Sequence, residues 1–80
     1  MTMEELKPGE IAKITGYAHG NGAYRAKLLA LGLTRGVTIQ IINVAPLGDP
    51  VELEVRGYNL SLRKSEASIL NVELVKQEGK

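Results

Sequence analysis

Apolar and polar residues alternate along most of this chain, and the spacing lengthens to three or four in one short stretch only. Residues 10–17 place Ala12 and Ile14 on one face and Lys13 and Thr15 on the other, the period of a half-buried strand. Residues 23–31 have Leu28 and Leu31 three apart, with Tyr24 and Lys27 at neighbouring turns, which predicts a helix. Residues 37–44 are β-branched but out of step. Val37, Ile39 and Ile41 share one phase, and Ile42 and Val44 the other, so either a bulge near Ile41-Ile42 or burial on both faces is required. In residues 51–56, Val51, Leu53 and Val55 alternate with Glu52, Glu54 and Arg56, and Leu60 and Leu62 then alternate with Ser61 and Arg63. Residues 69–75 form a closing strand with Leu70, Val72 and Leu74 inward.

The punctuation between these stretches is equally specific. Lys7-Pro8-Gly9 is a turn signal, and His19-Gly20-Asn21-Gly22 breaks regular structure with Asn21 as the expected helix N-cap. Gly32 fits the position just past a helix end, where a left-handed backbone is needed. Leu33 should then fold back on Leu28 in a Schellman motif. Gly36 supplies a second permissive position, and residues 45–50 form the next connecting loop. Gly57-Tyr58 at the centres of a type II′ turn predicts Val55 opposite Leu60, Leu53 opposite Leu62, and Glu52 opposite Arg63. Residues 64–68 read as a short helical turn, and 76–80 as a frayed tail. The order is strand, helix, three strands, helical turn, strand. Five short strands in a mainly β chain must close, or nearly close, to avoid exposed edges, which predicts a small barrel filling a single domain over residues 1–80.

Composition narrows the functional classes. The chain has 80 residues, 44% of them hydrophobic and 24% charged, with no cysteine and a net charge of +1. Disulfides and thiolate metal sites are therefore excluded. The acidic opening Met1-Thr2-Met3-Glu4-Glu5-Leu6 lacks the basic and apolar regions of a signal peptide. The longest apolar run, Leu28-Leu29-Ala30-Leu31, falls far short of the ~20 residues a membrane span needs. A soluble cytoplasmic protein without direct membrane insertion is expected. Residues 11–48 contain no carboxylate, yet hold Lys13, Arg25, Lys27 and Arg35. A strand-rich core could produce that block without further meaning; the sharper reading is an apolar, weakly basic face for an acidic partner.

The residues offer little covalent chemistry. His19 is the one histidine, and no serine sits in a nucleophile elbow. Asp49 lies in a Pro-flanked turn and Glu52 on a solvated strand face, so no acid, base and oxyanion donor assemble. The chain is expected not to be an enzyme and to need no cofactor. His19 is a weak metal-ligand candidate, since the surrounding block supplies no second ligand. The His19-Gly20-Asn21-Gly22 run lacks the Walker pattern. From another class, an RNA-binding small barrel would use Tyr17, Tyr24 and Tyr58 to stack bases; three tyrosines and a near-neutral charge make that platform thin, and no nucleic-acid partner is expected.

Several segments match a known family in order and spacing. Leu28-Leu29-Ala30-Leu31-Gly32-Leu33-Thr34-Arg35-Gly36 resembles the LLELGLTPG segment of the FeoA family, the small cytosolic component of bacterial ferrous iron transport. Ala45-Pro46-Leu47-Gly48-Asp49-Pro50 is similar to its APLGDP loop, and Val55-Arg56-Gly57-Tyr58-Asn59-Leu60-Ser61-Leu62-Arg63 to its VRGYxLALR hairpin. Leu6-Lys7-Pro8-Gly9-Glu10 also fits. Arg35 and Ser61 depart from the family's usual proline and alanine. The resemblance implies an SH3-like β-barrel. It also implies a partner, the FeoB-type membrane iron transporter with its cytosolic GTP-binding domain, which the chain would assist or regulate. Metal-ion binding, or service as a regulatory SH3-like module, is the family-level alternative. With that partner, the expected contacts are Tyr24, Arg25 and Lys27 on the outer side of the helix and Leu47, Gly48 and Asp49 in the loop. Leu28, Leu31 and Leu33 are expected in the core. Arg25 and Arg35 are the arginines available to act in trans on GTP hydrolysis.

Overall fold

The structure, a computed structural model, describes residues 1–18 and 22–75. The His19-Gly20-Asn21 break, with the expected cap at Asn21, and the expected tail over 76–80 lie outside the described residues. A 3-10 turn at Met3–Glu5 leads into β1 (Ile11–Tyr17), α1 (Gly22–Ala30) and β2 (Thr38–Val44). After a second 3-10 turn at Pro46–Gly48 come β3 (Val51–Val55), β4 (Tyr58–Leu62), α2 (Lys64–Ala67) and β5 (Leu70–Leu74). The expected order is therefore observed: mainly β, with one short helix after the first strand and a helical turn before the last.

The five strands form a single sheet in the order β4-β3-β2-β1-β5, antiparallel at every pairing. Its inner face carries Ala12, Ile14, Ile39, Ile41, Leu53, Leu62, Leu70 and Val72 into one core shared with Leu28 and Leu33. Edge strands β4 and β5 feed that same core, so the sheet curls strongly on itself. They are not neighbours in the hydrogen-bonded order; α2 joins them, with Ala67 buried beneath it. The outer edge of β5 is partly covered by the N-terminus, where Thr2 bridges Asn71 and Val72 N–H donates to the Met1 carbonyl at 2.8 Å. Such cover blunts an edge that would otherwise template further pairing.

The end of α1 has the expected Schellman geometry. Gly32, at φ +90°, donates to the Leu29 carbonyl at 3.0 Å, and Leu33 N–H donates to the Leu28 carbonyl at 3.0 Å. Leu28 and Leu33 are both buried, so the apolar contact that accompanies the motif is satisfied within the core. The phase change in β2 is a bulge. The β2–β3 register shifts between Ile41 and Asn43, leaving Ile42 as the extra residue, 44% exposed. A second irregularity, between Ile14 and Gly16 in the β1–β5 pairing, has no counterpart in the sequence pattern.

Two sequence expectations need correction. The hairpin pairs Val55 with Tyr58, Leu53 with Leu60, Val51 with Leu62 and Glu52 with Ser61. Its turn centres are Arg56 (φ +52°) and Gly57 (φ +86°), both left-handed as a type I′ turn demands. The expected type II′ turn one residue later is not formed, nor is the Glu52–Arg63 pair. Type I′ matches the right-handed twist of the flanking strands, and here Arg56 accepts a positive φ to allow it. The register slips by two, which preserves every residue's face. Leu74 is the other correction: it pairs with Ala12 in the inward phase but lies at the sheet's margin and is 41% exposed.

Candidate functional site

The two candidate contact segments are far apart in sequence but meet the same element, α2. On the helix side, Lys27 Nζ donates to Glu66 Oε2 at 2.5 Å. On the loop side, Asp49 Oδ1 accepts from Lys64 N–H at 3.1 Å. One turn of helix thus carries α1 on one flank and the 46–49 loop on the other. Neither Lys64 nor Glu66 was among the expected site residues. The available signal was the spacing Arg63-Lys64-Ser65-Glu66, a glutamate three residues past a helix start. Glu66 Oε1 indeed returns to accept from Arg63 N–H at 3.0 Å.

Glu66 is the one charged side chain buried among the described residues, at 3% exposure. Burial pushes its carboxyl up; the hydrogen bonds from Lys27 and Arg63 N–H, with the Lys27 charge, outweigh that and hold it below the ordinary carboxylate range. A buried carboxylate with both oxygens bonded stays ionised, and it fixes where the Lys27 ammonium stands. The Lys27 side chain as a whole is still 55% exposed.

Of the other helix residues, Tyr24 is half-buried and packs against the core, and Arg25 is exposed. The Arg25 guanidinium sits 5.6 Å from the centroid of the Tyr17 ring, a cation–π arrangement that limits its rotamers. Tyr17 is in turn fixed by its hydroxyl, which donates to the Leu33 carbonyl at 2.5 Å. Tyr58 does the same from β4, donating to the Leu31 carbonyl at 2.6 Å. Two of the three tyrosines considered for base stacking therefore clamp the C-terminal end of α1. Leu28 and Leu33 are core, as expected, and Leu31 packs against it half-buried.

The loop is more unusual. Ala45 N–H donates to the Pro50 carbonyl at 3.1 Å, and Gly48 N–H to the Ala45 carbonyl at 2.8 Å, closing the segment on itself. Gly48, at φ +80°, lies against the Lys64 methylenes; a Cβ there would stand 3.8 Å from Lys64 Cδ. Leu47 has φ +71° and ψ +7°. That is the left-handed region, which costs an L-residue about 1–2 kcal/mol. Its side chain is 94% exposed, so no burial offsets the strain. Asp49, although exposed, spends one carboxylate oxygen on the start of α2.

His19, the weak metal candidate, lies outside the described residues. Among the described residues no three His, Cys, Asp or Glu side chains gather as metal ligands. No described helix is long and apolar enough to cross a membrane.

Comparison with known proteins gives a consistent answer. A profile for the FeoA domain matches residues 1–74. A curated relative from Porphyromonas gingivalis, the Fe(2+) transport protein A/Fe(2+) transporter FeoB fusion protein, is 39% identical over 75 residues, covering 94% of this chain and 9% of that protein. The chain thus spans under a tenth of that relative's length. Among solved structures, the FeoA-like protein of Clostridium acetobutylicum superimposes with a TM-score of 0.87 at 36% identity, covering 100% of this chain and 92% of the other. The zinc-complexed FeoA of Stenotrophomonas maltophilia, described as an SH3 domain protein, gives 0.79 at 29% identity, covering 91% and 89%. The curled five-stranded sheet with its helix after the first strand is therefore an SH3-like fold, and the chain belongs to the FeoA domain family.

Proposed function

We propose that this chain docks on the cytosolic part of a FeoB-type ferrous iron transporter and assists or regulates it, as a binding module rather than an enzyme. Family membership and the fused relative connect the chain to ferrous iron transport. The observation that carries the docking is the fusion itself. A domain 39% identical to this chain is joined to a FeoB transporter in one polypeptide. Covalent linkage raises the effective concentration of two modules to roughly millimolar, which favours even a small contact between them. A separate chain of the same fold would make that contact in trans.

The surface that best suits the contact is the one flanking α2. Leu47, 94% exposed, is its most open group, while Lys27 and Asp49 also serve the fold through Glu66 and Lys64. Arg25 would contribute from α1, where it rests on the Tyr17 ring. Gly48 lies against the Lys64 methylenes on the loop side, and Tyr24 is half-buried against the core. The test is co-purification with the cytosolic domain of the transporter from the same organism, using wild type and the folded variants Leu47→Asp and Arg25→Glu. Wild type should be retained and both variants weakened. Absence of wild-type binding overturns the docking, and undiminished binding by both variants removes these contacts from it.

A further inference from the structure

We infer that Leu47 is a preformed apolar anchor, held out by a strained loop to enter an apolar socket on the cytosolic domain of the transporter. This rests on the docking proposed above and names the chemistry of its contact. Nothing in the fold requires a leucine at this position. The side chain is 94% exposed and takes no part in the core. The backbone, at φ +71°, would be relaxed by glycine or asparagine, both of which enter the left-handed region readily. A branched apolar side chain is thus carried where both conformation and solvent disfavour it.

The surrounding loop is built to keep it there. Two backbone hydrogen bonds, Ala45 to Pro50 and Gly48 to Ala45, close the segment, and the Asp49 carboxylate ties it to Lys64 N–H on α2. A side chain presented on a fixed loop loses little freedom on binding, so more of its burial appears as affinity. The tip residues Pro46, Leu47 and Gly48 carry no charge themselves, Lys64 meets the tip through its methylenes, and the Asp49 carboxylate bonds to the start of α2. That suits an apolar socket better than a phosphate backbone or a polar groove.

A second copy of this chain is a poorer occupant. The other exposed apolar side chains, Met1, Leu29, Ile42, Tyr58, Leu74 and Val75, are each only 39–51% exposed, and none is held out by a loop as Leu47 is. The fused relative points instead to the transporter, where tethering lets a single anchor suffice.

The experiment pairs calorimetric titration of the transporter's cytosolic domain with thermal unfolding, for wild type, Leu47→Asn and Leu47→Met. The asparagine variant should melt at the same temperature as wild type or higher, because strain is relieved, yet bind about tenfold or more weakly, the equivalent of one buried leucine side chain. The methionine variant should bind within a few-fold of wild type. An asparagine variant that binds as wild type does overturns the anchor. So does one that melts lower, since Leu47 would then belong to the fold. If wild type fails to bind, the docking reading itself falls and the socket falls with it. Sedimentation completes the test: a wild-type dimer dissolved by Leu47→Asn would show the socket to be on a second copy, against the inference.

Discussion

At Gly32 three demands fall on one backbone position. The residue must end α1 in a left-handed conformation, at φ +90°. It must donate to Leu29, and it must leave room for Tyr58, whose hydroxyl would stand 3.0 Å from a Cβ at this site. The same hydroxyl donates to the Leu31 carbonyl at 2.6 Å, so it is not free to move away without loss. Gly32→Ala should therefore cost about 1–2 kcal/mol for the conformation alone, and more for the displaced tyrosine. The two parts separate in a double-mutant cycle with Tyr58→Phe. Urea unfolding of the four proteins should show Gly32→Ala costing less in the phenylalanine background, by about 0.5–1 kcal/mol. Strict additivity would mean the tyrosine yields at no cost. The left-handed requirement was legible in the sequence because a Schellman ending is local. The tyrosine was not, because it arrives from a strand 26 positions further along the chain.

At the scale of elements, α2 holds α1 and the 46–49 loop together, through Glu66 to Lys27 and through Lys64 N–H to Asp49. Its pH dependence follows from Glu66, whose carboxyl is held below its ordinary range. A depressed carboxylate binds fewer protons folded than unfolded as the pH nears its unfolded value of about 4.3, so its contribution is full above that value. The contribution is lost as pH falls through the lower, folded value. Glu66→Gln removes the ion pair and this dependence together. Chemical unfolding from pH 7 down to about pH 3 should show wild type losing its advantage over the glutamine variant towards the acid end. A constant difference across that range would show that Glu66 does not titrate differently on folding. Elements also mark where pattern stops being informative. Alternation fixed which residues of β3 and β4 face the core, but a slip of two leaves that pattern unchanged. Only the turn decides the register, and Arg56 at φ +52° is an uncommon choice for a left-handed position. The Lys27–Glu66 pair, 39 residues apart, had no local signature on the Lys27 side.

Over the whole molecule, the docking proposed above would divide its work between charge and shape. Residues 11–48 carry no carboxylate, and across strands β1 and β5 the fold sets Glu73 directly opposite Lys13. Lys27 is paired with Glu66, and this is the one ion pair among the described residues. Of the four cations in residues 11–48, Arg25 and Arg35 have neither an ion pair nor a cross-strand acid among the described residues, and both are exposed. Arg35 lies beside β1, its guanidinium 3.9 Å from where a Cβ on Gly16 would stand, while Arg25 rests on the neighbouring Tyr17 ring. The sequence showed the missing carboxylates; it could not show that folding brings Arg25 and Arg35 to the same end of β1. Exposed charges of this kind act over about 8 Å at physiological salt, so they guide encounter more than they hold the complex. An apolar anchor does the opposite, adding nothing at long range and resisting separation once buried. Stopped-flow association and dissociation with the transporter's cytosolic domain should therefore separate the two. Raising salt should slow association and leave dissociation nearly unchanged, and Arg25→Glu should slow association and flatten its salt dependence. Leu47→Asn should speed dissociation and leave the salt slope of association intact. If both variants altered the same rate constant, charge and anchor would form one contact, and this division of roles would be wrong.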